Sequence, residues 1–215
     1  MTNDTFADER RRMVDAQIVA RGIDDAGVLA ALRDVPRKAF VDEDEKEAAY
    51  EDVPLPIGEG QTISQPFVVA LMLAAAELGP ADRLLEVGTG SGYAAAVASR
   101  IVAAVNTIER HASLADGARR RLARLGYDNV TVHVGDGSRG LPGGPMFDAI
   151  LVAAGGPEIP EALKAQLAIG GRLVMPVGPV GRAQRLIKLV RRDETTYDES
   201  DLGAVMFVPL VRSLA

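Results

Sequence analysis

The chain contains no cysteine and no tryptophan, and its only imidazoles are those of His111 and His133. The absence of cysteine excludes disulfide bonds, thiolate nucleophiles and cysteine metal sites. Two histidines are too few for a histidine-rich zinc site, and the sequence shows no clear carboxylate cluster that would take their place. We therefore expect a protein without a bound metal.

Long hydrophobic runs and an excess of basic charge are also missing. The longest apolar run, residues 67–76, is too short for a membrane span, which needs about 20 residues. The N-terminus, MTNDTFADERRR, has no apolar signal core. A formal net charge of −6 argues against a nucleic-acid binder. We expect a cytoplasmic protein that binds neither membranes nor nucleic acid.

One basic run departs from this balance, with four arginines between Arg119 and Arg124. A solvated helix face explains them, because the leucines nearby, Leu114, Leu122 and Leu125, recur at helical spacing and supply a core-facing side. Contact with RNA is the alternative, but no aromatic residues are interleaved with the arginines.

A length of 215 residues with 47% hydrophobic content predicts a single domain over residues 1–215. We expect residues 1–65 to form a helical and irregular cover, and residues 66–215 to form the core that it covers. Within the cover we expect a loose tail at 1–9, a helix at 10–21 ended by Gly22, a second helix capped by Asp24 and ending before Pro36, and an irregular segment at 40–60.

From residue 66 the sequence alternates between helical and strand patterns. Predicted helices cover residues 66–78, 92–101, 113–125 and 160–167, and predicted strands cover 83–87, 104–108, 130–134, 147–154, 171–177, 185–192 and 205–210. This order predicts an α/β fold with a doubly wound, mostly parallel seven-stranded sheet and helices on both faces. The last two strands, without a helix between them, predict an antiparallel pair at the C-terminal end.

A glycine-rich turn, LLEVGTGSGY at residues 84–93, follows the first predicted strand of the core. Glycines allow a sharp turn and a close ligand, and the helix that follows offers free backbone N–H groups. The spacing is G-x-G-x-G, whereas the dinucleotide fingerprint is G-x-G-x-x-G. A tight strand-to-helix turn would explain the glycines alone. The functional alternative is a cofactor contact by Gly88, Thr89, Gly90 and Ser91.

Acidic residues at neighbouring strand ends favour the cofactor. Glu109 ends the next strand, where an acid can accept hydrogen bonds from ribose hydroxyls. Asp136, followed by Gly137, ends the third strand, where it could bind an adenine amino group. Glu86, just before the glycines, suits a cationic ligand better than a pyrophosphate. Together they predict an S-adenosylmethionine site, and we interpret the two histidines as structural or incidental.

A second unusual segment is the loop GEGQTISQP at residues 58–66, whose polar members include Gln61, Thr62 and Ser64. Ser64 can be an N-cap, with Pro66 tolerated in the first turn of the following helix. The same loop can present a hydroxyl to a ligand, and the two roles are compatible.

Several segments, in order, resemble the protein-L-isoaspartate O-methyltransferase family over roughly residues 10–215. They are RGIDDAGVLAALRDVPRKAFV, LPIGEGQTISQP, LLEVGTGSGYAAAVAS, TIER, NVTVHVGDG, FDAILVAAGGPEIPEAL, GGRLVMPVG and FVPLV. The glycine turn is common to many methyltransferases, whereas TISQP together with the terminal FVPL is specific. The resemblance implies a Rossmann-like class I methyltransferase fold.

The resemblance also implies the reaction and the site. The family transfers a methyl group from S-adenosylmethionine, leaving S-adenosylhomocysteine, to the α-carboxylate of L-isoaspartyl and, less well, D-aspartyl residues of damaged proteins. It implies Ser64 as the active-site group and a monomeric enzyme. Implied cofactor contacts include Gln61, Thr62, Ile63, Ser64 and Arg110, and implied substrate contacts are Thr62, Ser64, Phe207 and Val208. Gly155 and Gly156 would leave room for peptide backbone.

Other functions remain open at this point. The nearest is methylation of an aspartyl carboxylate in a dedicated peptide, although such relatives often carry an added C-terminal domain. A base methyltransferase often shows Asp/Asn-Pro-Pro-aromatic after the fourth strand, where this chain has AAGGPEIP. A non-catalytic binding protein would lose the TISQP loop. A nicotinamide oxidoreductase would need the other glycine spacing.

Overall fold

The structure is a computed structural model that describes residues 6–179 and 181–211. Its helices are α1 Ala7–Arg12, α2 Ala26–Asp34, α3 Pro66–Ala75, α4 Tyr93–Ser99, α5 Ala112–Arg124 and α6 Glu161–Gln166. Its strands are β1 Leu55–Gly58, β2 Gln61–Ile63, β3 Arg83–Val87, β4 Ala104–Glu109, β5 Val130–Val134, β6 Phe147–Val152, β7 Leu167–Val177, β8 Gln184–Arg191 and β9 Tyr197–Val205. Residues 1–5 of the predicted tail lie outside the described residues.

The central sheet has seven strands in the order β5-β4-β3-β6-β7-β8-β9. The first five strands in this order, β5, β4, β3, β6 and β7, are parallel to one another. β8 pairs antiparallel with β7, and β9 pairs antiparallel with β8. The chain runs outward from β3 to β5 and then returns to β6 on the other side of β3. This reversal creates a switch point at the carboxyl ends of β3 and β6, where such sheets bind ligands. The predicted fold class is confirmed.

Successive side chains of a strand point to opposite faces of the sheet, and each face is covered by an apolar layer. Leu84 packs with the larger layer, which includes helices α2 to α5, while Leu85 packs with Leu163 of α6 in the other. Both faces of the central strands are therefore buried, as parallel sheets require. None of the helices within residues 6–179 and 181–211 is long and apolar enough to cross a membrane.

The predicted N-terminal helix is present but irregular. α1 continues into a π-helical segment, Met13–Ile18, and a 3₁₀ turn, Val19–Arg21, before Gly22 ends it at φ 93°. The predicted cap of α2 is wrong by one residue, because the carboxylate of Asp25, not Asp24, accepts the N–H of Val28 at 2.9 Å.

Two other predictions about secondary structure need correction. The segment 40–60, predicted to be irregular, contains β1, which pairs with β2 in an antiparallel hairpin. The last strand of the sheet is β9, Tyr197–Val205, rather than 205–210. Residues 206–211 instead run alongside the loop after β6, where Pro209 forms an isolated parallel bridge with Gly155.

An aromatic cluster joins the N-terminal segment to the core. Phe40 is fully buried, and its ring centroid lies 5.6 Å from that of Tyr93 and 6.2 Å from that of Tyr127. The guanidinium of Arg37, also fully buried, lies 5.0 Å from the centroid of the Tyr93 ring. Aromatic contacts in this distance range are favourable. Tyr93 begins α4, so this cluster places the N-terminal segment against the glycine turn.

We expect Phe40→Ala to lower the free energy of unfolding by about 3–5 kcal/mol, because it removes a fully buried ring that its neighbours cannot replace. Urea unfolding followed by circular dichroism measures this loss. Val134→Ala is the control, since Val134 is 53% exposed and its truncation should change stability by no more than about 0.5 kcal/mol. An equally small effect of Phe40→Ala would show that the cluster does not stabilise the fold.

Candidate functional site

An open cleft lies at the carboxyl ends of β3, β4 and β6. This is the position predicted from the switch point. The residues that line it are Gln61, Thr62, Ile63, Ser64, Val69, Glu86, Val87, Gly88, Thr89, Gly90, Ser91, Tyr93, Ala94, Ile108, Glu109, Arg110, His111, Gly135, Gly137, Ala153, Ala154, Val208, Pro209, Leu210 and Val211.

The glycine turn forms the floor of the cleft. Gly88, Gly90 and Gly92 all have positive φ, at 96°, 52° and 88°, which residues with a Cβ adopt only at a cost. The turn is tied to the neighbouring strand because Gly88 N–H donates to the carbonyl of Ile108 at 2.9 Å. A Cβ at Gly90 would lie 3.0 Å from Ile57 of the hairpin, so the hairpin packs closely over the turn.

Glu109 connects the turn to the end of β4. One carboxylate oxygen accepts the N–H of Gly90 at 2.9 Å, and the other accepts the N–H of His111 at 3.0 Å. The side chain is only 5% exposed. Each carboxylate oxygen can accept more than one hydrogen bond, so Glu109 can still accept from a ligand in the cleft.

Glu86 brings a second buried carboxyl group to the same floor, with 2% of the residue exposed. Thr107 Oγ1 donates to its Oε2 at 2.6 Å, and the hydroxyls of Thr89 and Thr107 are themselves 2.6 Å apart. Burial raises the pKa of Glu86 to about 8; the Thr107 hydrogen bond opposes this rise and the nearby Glu109 adds to it. At neutral pH Glu86 is therefore mostly in its neutral form.

The hydroxyl-bearing loop lies across the cleft from the glycine turn. Gln61, Thr62 and Ile63 belong to β2, and Ser64 follows directly, so all four predicted contacts of this loop line the cleft. The N-cap of α3 is Gln65, and no local side chain caps that helix. The interpretation of Ser64 as an N-cap is therefore wrong, and its hydroxyl is not used in that way.

The last wall is a stretch of the chain's own C-terminal segment. Gly155 N–H donates to the carbonyl of Val208 at 2.8 Å, and Leu210 N–H donates to the carbonyl of Gly155 at 2.7 Å. A side chain at Gly155 would collide with buried Gln184. Gly155 does leave room for an extended backbone, and residues 208–210 run there.

Two of the predicted site residues do not line the cleft. Phe207 packs against the core, and its N–H donates to Gln184 Oε1 at 2.9 Å. Asp136 accepts hydrogen bonds from the backbone and hydroxyl of Ser138, while its neighbours Gly135 and Gly137 line the cleft. The direct roles proposed for both residues stay predictions.

The sequence interpretation missed several lining residues. Ala153 and Ala154 directly follow β6, so their position at a strand end was an available signal. His111 also lines the cleft, with Nδ1 3.8 Å from a carboxylate oxygen of Glu59 at the hairpin tip. His133 instead bonds to Asn106 on the adjacent strand at 3.0 Å, as a structural histidine would.

Comparison with known proteins agrees with this geometry. The family model for protein-L-isoaspartate(D-aspartate) O-methyltransferase (PCMT) matches residues 8–215. The chain is 56% identical over 207 residues to protein-L-isoaspartate O-methyltransferase 1 of Rhodopseudomonas palustris strain HaA2, covering 96% of this chain and 84% of the relative. It is 57% identical over 208 residues to protein-L-isoaspartate O-methyltransferase of Methylorubrum extorquens strain PA1, covering 97% and 90%.

Solved structures lead to the same group. A Plasmodium falciparum protein assigned as a protein-L-isoaspartate O-methyltransferase, solved in complex with S-adenosyl-L-homocysteine, superposes with a TM-score of 0.82 at 27% identity. The match covers 94% of this chain and 98% of that one. The chain belongs to the protein-L-isoaspartate(D-aspartate) O-methyltransferase family.

Proposed function

We propose that this protein is a repair methyltransferase, which transfers the methyl group of S-adenosylmethionine to the α-carboxylate of L-isoaspartyl residues and, less well, of D-aspartyl residues. The observation that carries the proposal is the meeting of two sets of groups in one cleft. Buried acids and a glycine turn form one side, and the hydroxyl-bearing loop with Ser64 forms the other. Family membership over nearly the whole chain supports the same activity.

The cleft fits the cofactor by its donors and acceptors. Glu109 offers buried carboxylate oxygens for ribose hydroxyls, and Glu86 offers a buried carboxyl group for a cationic methionine end. The turn residues Thr89, Gly90 and Ser91 expose backbone to the cofactor. Glycine suits position 90, because a Cβ there would lie 3.0 Å from Ile57 and reduce the space in the cleft. When bound, the cofactor supplies a methyl group that its sulfonium already activates.

The substrate side needs orientation rather than proton transfer. A carboxylate with an ordinary pKa of about 4 is already ionised at neutral pH, so no base is required to activate it. The hydroxyls of Thr62 and Ser64 can donate hydrogen bonds to the carboxylate without locking it in a salt bridge. Holding reacting groups in line can lower a barrier by about 7–11 kcal/mol. We assign Ser64 as the active-site residue and Thr62 as a second substrate contact.

The remaining walls suit an extended peptide. Backbone hydrogen bonds to Gly155 hold Val208 and Leu210 in an extended conformation beside the cleft. We propose that Val208 contacts the substrate and that Phe207 supports it from the core side. Arg110, whose Nη1 donates to the carbonyl of Val211 at 3.3 Å, closes the same end and contacts the cofactor.

We further propose that residues 1–65 form a cover and residues 66–215 the cofactor-binding core of a single domain. In support, buried residues of the N-terminal part, including Val14 and Phe40, share one apolar cluster with Leu73 and Leu84. A cytoplasmic location and a monomeric state stay predictions.

The proposed function predicts selective labelling of damaged peptides. Two synthetic peptides, identical except for one L-isoaspartyl or L-aspartyl residue, are incubated with labelled S-adenosylmethionine, and base-labile methyl ester is counted. We expect label on the isoaspartyl peptide alone. Label on neither peptide, with the cofactor still bound, would contradict repair and favour the second candidate, a methyltransferase for one dedicated aspartyl peptide.

Ser64→Ala should keep cofactor binding and lose about tenfold to a hundredfold in kcat. The reason is that a hydrogen bond to a charged group contributes about 1.5–3 kcal/mol, and each 1.36 kcal/mol is a factor of ten in rate. Methyl transfer to the isoaspartyl peptide gives kcat, and calorimetric titration gives the cofactor Kd. Ser200→Ala, at an exposed serine of β9, is the control. A fully active Ser64→Ala would remove Ser64 from the active site.

Glu86 predicts a pH dependence of stability. Its pKa in the fold, about 8, lies above the ordinary 4.5, so its contribution to stability is present below 4.5 and is lost as the pH rises through 8. The ligand-free wild type should therefore lose stability relative to Glu86→Gln across that window. Thermal unfolding of both proteins over this range measures the difference, and parallel curves would contradict a buried neutral Glu86.

A further inference from the structure

Ser64 lies between two anchored parts of the chain, although its own hydroxyl makes no hydrogen bond within the described residues. On one side Ile63 pairs with Leu55 in the hairpin. On the other side the chain enters α3 through Pro66, which has no N–H, so Phe67 offers the first backbone donor of the helix. Because Ser64 is only two residues before Pro66, the contacts that hold the first residues of α3 also fix the position of Ser64.

Asp52 performs this task from 15 residues away. Its Oδ1 accepts the N–H of Phe67 at 3.0 Å, and its backbone carbonyl accepts Nε2 of Gln65 at 2.8 Å. A carboxylate at this end of a helix also interacts favourably with the helix dipole. One residue thus holds the two residues that flank Pro66 immediately after Ser64.

The second carboxylate oxygen of Asp52 extends the contact to the N-terminal segment. Its Oδ2 accepts Nη1 of Arg21 at 2.7 Å, and the same guanidinium lies 3.3 Å from the centroid of the Phe67 ring. Arg21 therefore contacts both the Asp52 carboxylate and Phe67, the helix residue whose N–H the same carboxylate accepts. The side chain of Asp52 is 23% exposed and that of Arg21 is 47% exposed, so solvent screens much of the charge attraction in this pair.

Asp52 is itself held in place by hydrogen bonds that Arg37 and Gln17 donate to the backbone around it. Arg37 donates Nε to the carbonyl of Ala49 at 2.8 Å and Nη2 to the carbonyl of Val53 at 3.4 Å. Gln17 donates Nε2 to the carbonyl of Tyr50 at 3.0 Å. Because the segment is anchored on both sides of Asp52, its carboxylate is a fixed point from which the loop can be positioned.

We propose that Asp52 is a positioning residue for methyl transfer, which places the Ser64 hydroxyl by holding Gln65, Phe67 and Arg21 together. The inference rests on the proposed function for its kinetic consequence. The structural part of the inference is independent of the proposed function, because the hydrogen bond from the Phe67 N–H to Asp52 exists whatever reaction the protein catalyses. The cofactor contacts proposed for Glu86, the glycine turn and Glu109 do not depend on Asp52, so Asp52→Ala should lower kcat far more than it weakens cofactor binding.

Two measurements on Asp52→Ala test the proposal. Amide hydrogen exchange by NMR should show faster exchange of the Phe67 N–H, since that donor loses its acceptor. Turnover of the isoaspartyl peptide, expressed per molecule that binds S-adenosylhomocysteine, should fall about tenfold to a hundredfold, because a displacement of about 1 Å can cost a hundredfold in rate. The Kd for S-adenosylhomocysteine should change far less than kcat, because the contacts from Glu86, the glycine turn and Glu109 stay in place.

Two further variants supply the controls. Asp15→Ala removes the exposed partner of Arg33, an ion pair of 2.7 Å in the same N-terminal part, and should change neither quantity. Asp52→Asn keeps an oxygen for the Phe67 N–H but weakens the bond to Arg21, so its loss of kcat should be smaller. If Asp52→Ala does not fold, the comparison of Asp52→Asn with the wild type carries the test.

The possible results separate this proposal from the proposed function. Unchanged exchange at Phe67, unchanged kcat, or a rise in Kd that matches the loss of turnover would each overturn the role of Asp52. A wild type that does not methylate the isoaspartyl peptide would overturn the proposed function. The exchange experiment would then still decide whether Asp52 holds the loop.

Discussion

The hydrogen bonds by which Glu109 joins the glycine turn to the end of β4 are the constraint on which the cleft depends. The chain must leave β3, reverse direction and begin α4 within a few residues, and it does so through glycines in left-handed conformations. Glu109 accepts the N–H of Gly90 and that of His111, and so joins the turn to the end of the neighbouring strand. With that edge fixed, Glu86 and Thr107 are left facing each other beneath the turn, and the hairpin can pack on top.

The second constraint is that α3 begins without a local cap. Pro66 removes one unsatisfied N–H, and Asp52 accepts the next, so the helix start depends on a residue in a different part of the chain. This dependence links the N-terminal part of the chain to the hydroxyl-bearing loop. It also leaves the Ser64 hydroxyl free to turn toward a substrate, because its oxygen is not held by a backbone N–H at the start of α3.

Sequence patterns predicted the buried parts of the fold well and the exposed parts poorly. β3 and β5 have the predicted bounds, since a buried parallel strand is a short apolar run ended by turn residues. β9 was missed because it is an edge strand, rich in exposed acidic residues, whose composition does not show the alternation of a half-buried strand. Its neighbour 205–210 was chosen instead for its apolar character, yet that segment forms a wall of the cleft.

The site follows the same division. The acids and glycines at strand ends were predictable because parallel strands bring their carboxyl ends to one edge. The cap from Asp52 was not, because a contact across 15 residues leaves no local pattern, and the nearest hydroxyl, Ser64, satisfies the usual rule for a cap. The close approach of a backbone to Gly155 was predicted from the glycine. The sequence did not show that this backbone is the protein's own residues 208–210 rather than that of a peptide substrate.

The chemistry of the walls bears on how wide the substrate range is. A methyltransferase for one dedicated peptide would need pockets or charges that distinguish its side chains from others. In this cleft the residues assigned to the substrate are two hydroxyls, Thr62 and Ser64, and an extended apolar segment that contains Val208. Arg110, the cationic residue of the lining, is bonded to the carbonyl of Val211. Such walls recognise a carboxylate and an extended backbone, two features that isoaspartyl sites share regardless of the residues around them. The composition of the cleft therefore favours repair over a dedicated substrate.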